Sequence, residues 1–153
     1  MKSKMILVFL STIGSFIAGL FGGWTMALTT LLIFVIIDYV TGLIVAGIFH
    51  KSTKTENGAL KSDVGFKGLI KKFFIFVIIF LGYRLDLMLN LGVSIKDIAA
   101  IFFCSNELIS IIENMGLMGI PMPPVIINAV DILKSKGNET VNPKEVTTEE
   151  KKE

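Results

Sequence analysis

Apolar and polar positions fall in long blocks along this chain. From Met5 to Ile37 there is no Asp, Glu, Lys or Arg, a run of 33 residues. As one helix it would be ~50 Å long, against a hydrocarbon core of ~30 Å. The run therefore contains a turn. Gly22-Gly23-Trp24-Thr25 is the natural place, because paired glycines favour a turn and tryptophan prefers the membrane–water interface. The pattern predicts a helical hairpin of residues 5–21 and 26–49. A third apolar segment covers 73–89, interrupted late by Arg84 and Asp86. A fourth covers 98–112 and is weakened by Asn106, Glu107 and Ser110. Pro123-Pro124 then breaks any helix, and a short amphipathic helix over 124–133 suits the membrane surface. Residues 134–153 mix Lys and Glu with almost nothing to bury, which predicts a disordered polar tail. The expected fold is an all-α integral membrane protein with about four transmembrane helices, or three if the fourth segment lies in the interface. Residues 1–133 form its membrane-embedded domain.

The charges orient this arrangement. Between His50 and Lys72 lie six basic residues, Lys51, Lys54, Lys61, Lys67, Lys71 and Lys72, against two acidic ones, Glu56 and Asp63. A short loop so rich in lysine stays in the cytoplasm, where its lysines meet anionic lipid headgroups. Lys2 and Lys4 place the N-terminus on the same side, and two crossings join the two. The nearly neutral connection 90–97 suits the outside. The N-terminus has the look of a signal peptide, but its apolar region is long and no small-x-small cleavage site precedes Gly22, so an uncleaved anchor is expected.

Composition narrows the function classes. Hydrophobic residues make up 52% of the chain and charged residues 18%, where a soluble domain carries about 25% charged. The net charge of +2 is too mild for nucleic-acid binding, and Gly65-Phe66-Lys67-Gly68, wedged between membrane segments, is an accidental match to an RNA-binding GxxG. One cysteine, Cys104, and one histidine, His50, leave neither an intrachain disulfide nor a metal-ligand spacing. No nucleophile–base pair or phosphate loop is visible. The chain is read as a non-enzyme without cofactor or metal.

Polar groups inside the apolar segments each need a reason, since a charge at the bilayer centre costs at least ~2.5 kcal/mol. Asp38 lies eleven residues before Phe49, and Arg84 eleven after Phe73. In antiparallel helices these positions share a depth, which predicts an Asp38–Arg84 pair, with Asp86 as a second candidate nearer the outer surface. Glu107, Glu113 and Asn114 join Asn106 and Ser110 at helical spacing, predicting one polar stripe facing other helices or water. Ser11, Ser15 and Gly19, four apart, allow close helix approach within the chain or between copies.

Three motifs in order resemble a known family. They are Asp38-Tyr39-Val40-Thr41-Gly42, then Ser62-Asp63-Val64-Gly65-Phe66-Lys67-Gly68-Leu69-Ile70-Lys71-Lys72, then Glu107-Leu108-Ile109-Ser110-Ile111-Ile112-Glu113-Asn114 followed by Gly119-Ile120-Pro121 and Pro123. Together, over about Leu31 to Leu133, they resemble the phage-lysis and toxin-secretion holins of bacteria with Gram-positive-type envelopes. The resemblance implies accumulation in the host cytoplasmic membrane, homo-oligomerisation and a timed lesion that releases a murein hydrolase (endolysin) or a toxin. The partners implied are the chain itself, the lipid bilayer and that cargo. Met1 and Met5 offer two translation starts differing by Lys2 and Lys4, a form of timing control. The rival classes are a small transporter or ion channel, with Asp38, Arg84, Asp86 and Glu107 along a solute path, and a regulatory, antiholin-like membrane subunit. Transporters commonly need more helices or visible repeats.

Overall fold

A computed structural model describes residues 2–89 and 92–139 of the chain. Met1, Asn90, Leu91 and residues 140–153 lie outside that description. With them go the dual start, part of the predicted outer connection and most of the predicted disordered tail. The described residues form five helices and no strand: α1 (Lys2–Leu20), α2 (Met26–Gly47), α3 (Ser62–Leu89), α4 (Ile95–Leu117) and α5 (Pro124–Glu139). Two of them, over Ser3–Leu20 and Met26–Gly47, are long and apolar enough to cross a membrane.

The turn between α1 and α2 is built from its glycines. Gly22 and Gly23 take φ of 67° and 101°, and the amide of Gly23 donates to the carbonyl of Ala18 at 2.9 Å, closing the end of α1 in the manner of a left-handed C-terminal cap. A β-carbon on Gly22 would enter the ring of Tyr83, so glycine is required there twice over. Thr25 then caps α2: its hydroxyl accepts from the amide of Leu28 at 3.3 Å.

Helices α2, α3 and α4 form a three-helix bundle in which α4 is central, packing mainly on α2 and next on α3. Thr25, just before α2, bonds to Asp97 in the first turn of α4 at 3.2 Å, so α2 and α4 run parallel, and α3 runs antiparallel to both. The core is Leu28, Leu31 and Val35 of α2, Ile75 and Ile79 of α3 and Ala100 of α4, closed at the hairpin end by Phe21. Gly82 brings α3 close to α4; a β-carbon there would stand 3.4 Å from the backbone of Lys96. In lipid, such close packing and interhelical polar ties replace the hydrophobic effect as the force between helices.

Helix boundaries differ from expectation, among them those of α4, which runs Ile95–Leu117 rather than 98–112. Helix α3 begins at Ser62, not Phe73, because 62–72 holds no proline and its lysines are good helix formers. Lys72 therefore lies inside a helix rather than at the end of a loop. Helix α5 continues to Glu139, beyond the predicted end at Leu133; the one glycine of that stretch, Gly137, does not end it, since a helix once nucleated extends at little cost per residue.

Helix α1 stands apart. Residues 3–17 are all exposed, and only Ala18 near its end is half-buried. Its large apolar side chains, among them Leu7, Phe9 and Phe16, are each about two-thirds exposed.

Candidate functional site

The stripe that α3 turns towards its neighbours reads Lys72, Ile75, Ile79, Gly82, at steps of three, four and three. Three of these are small or apolar; the fourth is an ammonium group. Lys72 Nζ reaches Asp38 Oδ2 of α2 at 2.6 Å and also binds Glu107 Oε2 of α4. All three side chains are withdrawn from solvent, with 11% of Lys72, 7% of Asp38 and 5% of Glu107 exposed. One lysine thus serves two carboxylates, one from each flanking helix. Asn114, two turns beyond Glu107 on α4, completes the set. Its amide donates to Asp38 Oδ1 and to Thr41 Oγ1, both at 3.0 Å. Thr41 in turn donates to the carbonyl of Ile37 at 2.9 Å, so Thr41 and Asn114 fix the carboxylate of Asp38 from the side opposite Lys72.

Each member lies ten residues or fewer from the loop end of its helix: nine from Asp38 to Gly47, ten from Ser62 to Lys72 and ten from Glu107 to Leu117. At ~1.5 Å per residue, the cluster sits roughly 15 Å inside the bundle. The cost of burying these charges is offset by their attraction to Lys72 and by the Asn114 bond to the second oxygen of Asp38, the kind of compensation a buried ion cluster needs.

The predicted Asp38–Arg84 pair does not form. Arg84 is exposed, twelve residues beyond Lys72 and so roughly 18 Å further along α3. The error traces to the start of α3: counted from Ser62 rather than Phe73, the residue level with Asp38 is Lys72. Asp86 has a different task. Its carboxylate accepts from the amides of Ile95 at 2.6 Å and Lys96 at 3.0 Å, and from Ser94 Oγ at 3.4 Å, holding the start of α4 against the end of α3. The predicted polar stripe on α4 also divides. Glu107 and Asn114 face the bundle, whereas Asn106 and Glu113, one position earlier in each turn and so ~100° around the helix, are exposed. Ser110 is half-buried and borders a cavity with Glu113 and Asn114. Of the loop motif, Lys72 belongs to the cluster, Gly65 lies beside the Tyr39 hydroxyl, Gly68 borders the cavity leading to Asp38, and Ser62 and Lys71 are exposed.

A second buried cation had no signal in the sequence. Lys96 is 6% exposed, donates to the carbonyl of Phe21 at 3.1 Å and lies 5.7 Å over the ring of Tyr83. In sequence it is an ordinary lysine in the first turn of a helix. Lys72 did carry a signal: continued through 62–72, the helical period of Ile75, Ile79 and Gly82 places it on the inner face.

Among the described residues no group of His, Cys, Asp and Glu could hold a metal ion, and the ion cluster is consumed in its own contacts. It ties three helices together at one depth.

Comparison with known proteins agrees with the membrane architecture. Residues 15–135 match the bacteriophage holin family. An uncharacterised protein of Halalkalibacterium halodurans is 40% identical over 120 residues, covering 75% of this chain and 83% of its own. An uncharacterised 14.9 kDa protein of Clostridium perfringens is 34% identical, covering 82% and 89%. A probable holin of Bacillus phage phi105 is 26% identical over 112 residues, covering 73% and 77%. No solved structure matches. With a family match over most of its length and membrane-length apolar helices, the chain belongs to the bacteriophage holin family.

Proposed function

We propose that this protein is a pore former: copies accumulate in a bacterial cytoplasmic membrane, associate, and open a lesion through which a murein hydrolase or a toxin leaves. The observation that carries this reading is the contrast between α1 and the rest. The interior between α2, α3 and α4 is filled by apolar side chains and the ion cluster, so a lesion has to arise between copies. Helix α1 offers an apolar surface that its own bundle leaves uncovered.

In this reading α1 to α4 all cross the bilayer, with the N-terminus and the lysine-rich connection 48–61 in the cytoplasm. The antiparallel course of α3 relative to the parallel α2 and α4 supports it, because alternating crossings require that course. The ion cluster keeps the charges of Asp38, Lys72 and Glu107 out of lipid. The outward Asn106 of α4 is placed to meet water or polar groups of neighbouring copies.

The test is inducible expression in a bacterium, following membrane potential and viability with and without a co-expressed cytoplasmic murein hydrolase. Abrupt depolarisation, with lysis only when the hydrolase is present, is the expected result. Undisturbed growth at an intact potential overturns the reading and favours a transporter or an antiholin-like regulatory subunit.

A further inference from the structure

Between the connection 48–61 and the bundle lies a cavity of about 80 Å³ that extends inwards to Asp38 and Lys72. From Val45 at its outer part to Asp38 at its floor it follows seven residues of α2, roughly 10 Å. Its roof is held by a defined set of bonds. Lys51 N donates to Val45 O at 3.1 Å, Ser52 N to Gly58 O at 3.0 Å, and Thr55 Oγ1 to Ala59 O at 2.9 Å. Gly58, at φ 69°, turns so tightly that a β-carbon would collide with the carbonyl of His50.

The polarity of this cavity is graded. Its rim carries Lys54 and Lys61, both exposed. Among the described residues neither makes an ion pair, since nearby Asp63 faces Lys67 instead. Ser52 and Thr53 add hydroxyls, Leu60 and Val64 form an apolar wall, and the floor is Asp38 with Lys72 and Asn114. An anion is attracted at the rim, whereas the one cation of the floor, Lys72, is already bound to Asp38 and Glu107, so the anion stops at the mouth, beside the apolar wall. This is the order of groups in an anionic phospholipid: a phosphate with an apolar stem behind it.

We propose that this cavity is a binding site for one anionic lipid headgroup, its phosphate held by Lys54 and Lys61 and its glycerol end against Leu60 and Val64. The site goes beyond diffuse attraction of a basic loop to a charged surface, because only two of the exposed lysines border it. Lys51 and Lys71, equally exposed, do not.

The test uses the full chain reconstituted in nanodiscs of equimolar phosphatidylglycerol and phosphatidylcholine, with retained lipids counted by native mass spectrometry. Wild type is expected to retain phosphatidylglycerol preferentially. The Lys54→Gln, Lys61→Gln double variant is expected to lose that preference by roughly 5-fold per lysine. The Lys51→Gln, Lys71→Gln variant, which removes equal charge outside the cavity, is expected to keep it. Equal loss in both variants overturns the site in favour of general surface attraction. Displacement of the lipid by inorganic phosphate at matched concentration also overturns it, since the site would then recognise a soluble anion.

Discussion

At the scale of single residues, Lys72 and Arg84 carry opposite expectations despite the same charge and the same helix. Lys72 pairs with two buried carboxylates. Replacing it by Met leaves both without a cation, and breaking a buried pair in this way costs about 3–5 kcal/mol. Arg84 is exposed and makes no contact with Asp38. Arg84→Gln is expected to change stability by no more than about 0.5 kcal/mol. Unfolding of the purified variants in mixed detergent micelles separates the two, and a larger loss for Arg84→Gln would restore the pairing rejected above. Gly22 offers a second test. An alanine there is strained by its left-handed backbone, at about 1–2 kcal/mol, and meets the Tyr83 ring as well. In a double-mutant cycle, Tyr83→Ala is expected to relieve the steric part of the Gly22→Ala defect and leave the backbone part.

At the scale of elements, the start of α4 depends on α3. Two of its leading amides are satisfied by Asp86 and a third, that of Asp97, by Ser94 Oγ at 3.2 Å. Asp86→Ala removes acceptors for both Ile95 and Lys96 and is expected to loosen the first turn of α4. Hydrogen exchange is expected to rise at the amides of 95–97 while those around Glu107 stay protected. Uniform loss of protection along α4 would show that Asp86 supports the whole helix rather than its first turn. The helical character of the apolar segments was legible from apolar blocks and their breakers. The start of α3 was not, because a charged first three turns look like a loop until an inward-facing partner is known.

At the scale of the molecule, α1 and the bundle are separable. Because residues 3–17 touch almost nothing, deleting residues 2–17 while retaining Phe21 is expected to leave the α2–α4 bundle folded. Exchange protection around Leu28 and Ile79 checks this. The same deletion is expected to abolish hydrolase-dependent lysis, since it removes the uncovered apolar helix on which the proposed association rests. Full lysis by the truncated chain would move the association surface to α2–α4.

The sequence by itself determined that this is an apolar helical chain, with a turn at Gly22-Gly23, buried charges needing partners, and an ordered set of motifs shared with the holins. Those properties are local: hydropathy, helix breakers and charge placement act over one or two turns of chain. Which charges meet was decided only by the tertiary structure. Lys72 against Asp38 and Glu107, and Lys96 against the carbonyl of Phe21, depend on where α3 and α4 begin and on their rotation within the bundle. A one-residue change of phase turns a side chain ~100° around its helix, enough to send Glu107 inwards and Asn106 out.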